Sequence, residues 1–183
     1  MNDRPNSALS IKLLCRESYL IVNSKLTYAQ LDAVLKTRGD KELIALLDSP
    51  SIKIGDTAAG LLFNLDALES VYEAVCNGCL RTALGRKRAL YVLIHSGPSF
   101  HKSLDACVRF LRDRSKLVVG EALFGLCHWN DPSSLAALDT VTCRAVAEDV
   151  ERARRAIKER DIRIYSQYYS IHEMWKEHQK FAA

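Results

Sequence analysis

The chain has 183 residues, of which 48% are hydrophobic and 26% charged, and its formal net charge is +4. This composition is typical of one folded globular domain with its own core and excludes a disordered chain. No apolar run reaches the roughly 18 residues of a membrane-spanning helix, and Lys12, Arg16 and Glu17 interrupt the N-terminal stretch that a secretory signal would keep apolar. We therefore predict a soluble, cytoplasmic protein.

The predicted elements are helices throughout a single domain. We expect N-terminal capping helices in residues 1–39, helical repeats in 40–160 and a C-terminal helix in 161–183. Apolar residues recur at helical spacing, as at Leu68 and Val71, and the chain has only 4 prolines and 8 glycines. The sequence therefore predicts an all-α fold that is more than about 60% helical, with essentially no strand.

Loops at 48–51, 96–99 and 130–133 separate the helical blocks. In each loop a proline ends one helix, and a serine can cap the next helix by accepting a hydrogen bond from its first turn.

Three segments of the chain are similar to one another. They align on Gly55, Gly85 and Gly120 and read IKIGDTAAGLLFNL, TALGRKRALYVLIH and LVVGEALFGLCHWN. Each segment follows an amphipathic stretch, so the repeated unit is predicted to be a pair of helices. The pattern resembles HEAT-type repeats over residues 40–160, in three clear units and a degenerate fourth. This resemblance implies a short α-solenoid of stacked helix pairs, and a generic helical bundle is the alternative.

The six cysteines lie among apolar residues in helical segments, which favours free, buried thiols over disulfides. They are Cys15, Cys76, Cys79, Cys107, Cys127 and Cys143. Cys76 and Cys79 have the spacing of half a zinc site but lack a suitably spaced second pair, so we expect them in the core. His172 begins a near-match to the zinc-protease helix, yet Lys176 stands where the second histidine is required. Neither a metal nor a cofactor is predicted.

No catalytic signature is present, since the chain has neither a Gly-rich phosphate loop nor a nucleophile elbow, and we do not predict an enzyme. Residues 1–80 have a net charge of −2 and residues 81–183 a net charge of +6. The basic second half favours an acidic partner. Arg86, Lys87 and Arg88 lie near a predicted helix N-terminus and oppose the helix dipole, so we expect a carboxylate of a neighbouring repeat or an acidic partner to compensate them.

The candidate partner-binding residues follow from the register of the repeats. In a HEAT-like stack the second helices line a concave face, where partners commonly bind. The predicted strip combines residues after the aligned glycines, the end of the third repeat and nearby basic side chains. Its members are Asp56, Arg86, Arg88, Glu121, His128 and Trp129, with help from Arg109 and Arg112. Trp129 is expected either to anchor a partner or to close its repeat, and an aromatic stripe of Tyr165, Tyr169 and His172 is the second candidate surface.

These features favour a protein-binding helical-repeat module, because mixed charge beside an aromatic anchor suits a protein surface. The chain is similar in type to small bacterial HEAT-like immunity proteins, which implies that it inhibits a toxin by direct binding. A nucleic-acid-binding protein, similar to HEAT-like DNA glycosylases, is the alternative; the basic second half supports it and the interleaved acids oppose it. An enzyme acting on bilin-type small molecules is a third interpretation, based on the fold alone.

Overall fold

The structure, a computed structural model, describes residues 27–96 and 100–166. Of these residues 75% are helical and none lies in a strand, which confirms the all-α prediction. No helix in the described ranges has the length and apolarity needed to cross a membrane. The helices predicted before Thr27 and after Ser166 lie outside the described residues.

Ten α-helices and two short 3-10 helices lie in the described part of the chain. The α-helices are α1 (Tyr28–Leu35), α2 (Asp40–Leu47), α3 (Ile52–Asn64), α4 (Leu68–Cys76), α5 (Ala83–His95), α6 (Phe100–Phe110), α7 (Lys116–Trp129), α8 (Leu135–Leu138), α9 (Ala147–Glu159) and α10 (Arg163–Ser166). The 3-10 helices, Pro132–Ser134 and Arg144–Val146, precede and follow α8.

Hydroxyl side chains cap the start of three helices. Thr27, Ser51 and Thr82 each accept a hydrogen bond from a first-turn amide of α1, α3 and α5, which satisfies a donor that the helix leaves open. The serine cap predicted in the first loop is therefore present. In the third loop the carboxylate of Asp131 accepts the bond from the Ser133 amide, so an aspartate takes the role expected of serine.

The helices of the first three pairs pack in two rows. Helices α3, α5 and α7 form the second-helix row, and α2, α4 and α6 form the first-helix row, with each helix contacting the next in its row. Lys87 meets Glu121 near the starts of α5 and α7, and His95 meets His128 near their ends, so these two helices are parallel. The arrangement is compatible with a helical repeat, and its apolar core lies between the rows.

The last unit departs from this pattern. Cys127, near the end of α7, lies beside Ala153 of α9, whereas Gly120, near the start of α7, accepts a hydrogen bond from Tyr165 beyond the end of α9. Helix α9 therefore runs antiparallel to α7. In this unit the first helix, α8, is a single turn that advances the chain by only about 6 Å, so no full-length helix carries the chain back along α7 before α9 begins. The degenerate fourth unit of the prediction thus has a different orientation from the other three.

Two of the aligned glycines mark close approaches between units. A side chain at Gly55 would overlap the guanidinium of Arg88, and a side chain at Gly85 would overlap the carboxylate of Asp48. Because glycine leaves this space open, one polar side chain crosses between neighbouring units at each position. The similarity of the first two segments therefore has a packing cause.

The five described cysteines are free thiols. Cys107 and Cys127 are buried, as predicted, and Cys143 is half-buried. Cys15 lies outside the described residues. Among the described side chains no group of three or more His, Cys, Asp or Glu is arranged to hold a metal ion.

Cys76 and Cys79 are both exposed, so the prediction that they belong to the core is wrong. Helix α4 ends at Cys76, and Gly78 then turns the chain with a φ of 63°. The Cys79 amide donates to the Ala74 carbonyl, as in a Schellman helix end, and this places Cys79 beyond the helix. The two thiols do not share a buried helix face because the helix stops between them.

Candidate functional site

Arg88 and Asp56 of the predicted strip pair with each other. The side chain of Arg88 is buried, and its Nε donates to Oδ1 of Asp56 at 2.8 Å. Its Nη1 donates to the carbonyl oxygens of Leu47 and Ser49, both at 2.8 Å. Arg88 therefore fastens the loop after α2 to helix α5, and its guanidinium is occupied inside the protein.

Arg86 also acts between units. Its Nε and Nη2 donate to the two carboxylate oxygens of Asp113 at 2.6 and 3.2 Å, and its Nη1 donates to the Arg81 carbonyl at 2.8 Å. A carboxylate from the neighbouring unit thus compensates Arg86, which is the first of the two alternatives expected from the sequence. The side chain keeps 22% of its surface exposed, so its main contacts are within the protein.

Arg109 and Arg112 do not join the other strip residues. Arg109 lies on α6, in the first-helix row, where its Nε donates to Asp105 at 2.6 Å. The same Asp105 carboxylate accepts a hydrogen bond from the Tyr72 hydroxyl of α4 at 2.9 Å. Arg112 is exposed in the loop between α6 and α7. The predicted strip is therefore divided between two sides of the molecule.

The second-helix row instead presents one surface of polar and aromatic side chains, which we call the central face. Its members are Asp56 of α3, Lys87, Tyr91 and His95 of α5, and Glu121, Phe124 and His128 of α7, of which Glu121 and Phe124 are buried. Lys87 Nζ lies 3.9 Å from Glu121 Oε2, and the rings of Tyr91 and His95 are 4.6 Å apart. The His95 ring lies 5.7 Å from that of His128 and 6.0 Å from that of Phe124.

The sequence prediction omitted Lys87, Tyr91 and His95, although their spacing could have identified them. Lys87, Tyr91 and His95 follow one another at intervals of four residues, which places them on one side of a helix. The alignment on the glycines selects Arg86, which lies one residue away from the side of α5 that belongs to the central face. On an α-helix, one residue is a rotation of about 100°.

Glu121 is the most perturbed carboxylate of the central face. Its residue is only 6% exposed, and this burial raises its pKa to about 7, although the neighbouring Lys87 acts in the opposite direction. Burial lowers the pKa of His95 and of His128, and the proximity of His128 lowers that of His95 further. Glu121 therefore changes charge near neutral pH, whereas the two histidines become charged only at a lower pH than a free histidine.

Trp129 closes the end of the α6–α7 pair. Its ring contacts Phe100 at 5.4 Å and His128 at 5.3 Å, both edge-on. The indole is half-buried, and its Nε1 is buried without a hydrogen-bond partner among the described residues. Of the two expectations for Trp129, this packing agrees with closure of the repeat.

The structure also corrects the second candidate surface, the aromatic stripe that begins at Tyr165. Tyr165 is 2% exposed, and its hydroxyl donates to the Gly120 carbonyl at 3.2 Å. It packs against the core and is not part of an exposed aromatic stripe. Tyr169 and His172 lie outside the described residues.

A shallow depression of about 370 Å³ lies along α9. It is lined by Glu151, Arg152, Arg154, Arg155 and Lys158. Arg152 pairs with Asp149, and Arg154 pairs with Asp139 and Glu151. Since one helix supplies all the lining residues, this depression has no second wall that would enclose a small-molecule ligand.

Comparison with protein-family models, curated proteins and solved structures found no match. The structure alone therefore defines the class of protein. It is an all-α domain of paired helices with a polar and aromatic central face.

Proposed function

We propose that this chain is a protein-binding module that contacts its partner through the central face. The observation that carries the proposal is the combination of the partly exposed Lys87 and the exposed Tyr91 on α5 with the partly exposed Asp56 on the neighbouring α3. Tyrosine supplies contact area at binding hot spots, and charges of both signs give specificity for a partner of complementary pattern. Rigid helices hold these groups in place, which reduces the entropy lost on binding.

Nucleic acid is the competing partner. A phosphate backbone requires positive charge that no carboxylate opposes, whereas the partly exposed carboxylate of Asp56 brings negative charge to the central face. We therefore favour a protein.

The finer proposal is that the partner is a toxin and that binding inhibits it. Its support is the similarity in type to HEAT-like immunity proteins, together with the absence of a catalytic motif from the sequence. Co-expression of the chain with a candidate toxin tests it: the wild-type chain should restore growth, and a chain altered on the central face should not.

Site-specific photocrosslinking tests the binding surface. A benzophenone amino acid replaces Tyr91 in one protein and Glu73 in the matched control, since Glu73 is exposed on α4 in the first-helix row. In an extract of the native cells, we expect a discrete protein adduct at position 91 and none at position 73. Equal adducts at both positions would contradict the proposal.

The captured protein is then purified for titration. Changing Lys87 to Glu or Tyr91 to Ala should weaken the complex by about 1 to 3 kcal/mol, while thermal unfolding shows that each variant still folds. The same proteins are titrated with duplex DNA over a range of salt concentrations. Submicromolar DNA affinity at physiological salt, falling steeply as salt rises, would replace the protein proposal with the nucleic-acid one.

A further inference from the structure

A second surface lies where the loops before α5 and α7 meet. Four exposed basic side chains occupy these loops and the first residue of α7, and we call them the basic edge. They are Arg81, Arg112, Arg114 and Lys116. None of the four side chains forms an ion pair with another described residue. Their positive charges are therefore exposed to solvent.

The two loops are held together by bonds within the protein. Arg86 donates to the Arg81 carbonyl in one loop and to the Asp113 carboxylate in the other. The Asp113 carboxylate also accepts the Ser115 amide, which fixes the second loop. Asp48 accepts from the backbone amides of Arg81 and Thr82, which fixes the first. The positions of the four basic residues are therefore set by the fold.

The carboxylates near the basic edge are already engaged. Asp113 binds Arg86 and the Ser115 amide, and Asp48 binds backbone amides and the Thr82 hydroxyl. The N-terminal ends of α5 and α7 add partial positive charge at the same place. The edge thus presents four cations with no available internal counter-charge among the described residues.

We propose that the basic edge binds an acidic segment of the same protein partner that occupies the central face. This inference rests on the proposed function and adds the chemistry of a second contact. Lys87 and Glu121 of the central face lie within about one and a half turns of the starts of α5 and α7, where the basic edge lies, so the two surfaces adjoin. A partner seated on the central face needs only a short stretch of Asp or Glu to reach the edge.

The extent of the patch favours a protein segment over nucleic acid. Duplex DNA carries a negative charge about every 1.7 Å along its axis, so it would continue past the edge in both directions. On one side it would approach the partly exposed carboxylate of Asp56. An acidic segment can end where the basic side chains end.

The test uses two labelled probes: a peptide of alternating glutamate and serine, and a DNA duplex of equal charge. Binding is measured by fluorescence anisotropy with the wild-type chain and with the double variant Arg112→Glu and Arg114→Glu. The matched control is Lys41→Glu with Arg144→Glu, which makes the same change in net charge at exposed positions. Lys41 near the start of α2 and Arg144 before α9 both lie at the opposite edge.

We expect the edge variant to bind the acidic peptide about tenfold more weakly and the control to lose less than about twofold, with the difference disappearing near about 0.5 M salt. Arg81→Glu with Lys116→Glu gives an independent second variant, and circular dichroism confirms that each protein is folded. An equal loss in edge and control variants would overturn the proposal, as would no peptide binding by the wild type. Tighter, edge-dependent binding of the duplex would overturn it in favour of nucleic acid.

The peptide assay is independent of the central face. A Tyr91→Ala protein should bind the acidic peptide as the wild type does, so failure of the edge leaves the crosslinking result standing. Failure of crosslinking at position 91, with peptide binding intact, would instead remove the proposed function and keep the basic edge.

Discussion

Arg88 is a buried cation whose contacts predict a large effect on stability. Its guanidinium binds the Asp56 carboxylate and the carbonyl oxygens of Leu47 and Ser49. Arg88→Ala leaves these acceptors without their donor, and we expect the free energy of unfolding to fall by about 3 kcal/mol. Urea denaturation measures the change.

The adjacent Lys87 provides the comparison for Arg88. It is partly exposed and lies 3.9 Å from Glu121, so Lys87→Ala should cost less than about 1 kcal/mol. Equal losses for the two variants would contradict the structural role assigned to Arg88.

Glu121 predicts a dependence of stability on pH. Its pKa is about 7 in the folded protein against 4.5 for the free side chain, so between these values the folded state binds more protons than the unfolded state. The free energy of unfolding should therefore fall as pH rises through this window, by about 1 to 3 kcal/mol. Glu121→Gln should abolish this contribution.

The histidines have the opposite effect. Because the pKa of His95 and of His128 is lowered, the folded state binds fewer protons than the unfolded state, and the free energy of unfolding rises as pH increases towards 6.5. They are present in both proteins, so the difference between wild type and Glu121→Gln isolates the carboxyl group. Denaturant titrations from about pH 5 to about pH 8 give that difference. A difference independent of pH would show that Glu121 is ionised throughout.

The cysteines predict two classes of thiol reactivity. Cys76 and Cys79 are exposed, whereas burial raises the pKa of Cys127 to about 12 and raises that of Cys107 as well. We expect Cys107 and Cys127 to react with a disulfide reagent at least about a hundredfold more slowly in the native protein. Replacing Cys76 and Cys79 with Ser should remove two fast equivalents, and mass mapping of the modified sites identifies the remainder.

At the scale of the helix, replacing different glycines with alanine should change the stability of the protein in opposite directions. Gly55→Ala would drive a methyl group into Arg88, and Gly85→Ala would drive one into Asp48, so each should destabilise the protein by about 1 to 3 kcal/mol. Gly60, in the same helix as Gly55, has open space where its side chain would be. Gly60→Ala should stabilise the protein by about 0.4 to 1 kcal/mol, because alanine favours the helix. Thermal denaturation of the three variants separates packing from helix propensity, and a stabilised Gly55 variant would refute the close approach.

Helices were predictable from the sequence because the spacing of apolar residues along one segment is local information. The directions of Arg86, Lys87 and Arg88 were not, because consecutive residues differ by about 100° around a helix. Arg86 reaches the next loop, Lys87 lies on the central face and Arg88 points inward. The strip therefore included Arg86 and Arg88, whose guanidinium groups are engaged within the protein, and it omitted Lys87, Tyr91 and His95.

Helix ends were the other source of error. The exposure of Cys76 and Cys79 depends on the residue at which α4 stops, which the apolar spacing does not specify. The direction of α9 depends on the shortness of α8, whose four residues follow a proline turn. Both features depend on where a helix terminates, and patterns within helices carry little information about that point.

At the scale of the whole molecule, the links between units predict cooperative unfolding. Asp48 of the first pair fixes the loop of the second, Arg88 of the second fixes the loop of the first, and Arg86 joins the second to the third. A chain of independent pairs would unfold in stages, whereas linked units share their stability. We expect one urea transition, coincident by far- and near-ultraviolet circular dichroism. Two separated transitions would show that the links are weak.

The reciprocal bonds of Asp48 and Arg88 also bear on how the chain is made. A ribosome synthesises the loop at 48–51 before Arg88, so the carbonyl oxygens of Leu47 and Ser49 emerge ahead of their donor. The first helix pair is completed only by the next one. A nascent chain that stops after Asn64 would therefore lack a finished domain, and the smallest unit able to leave the ribosome folded includes α5.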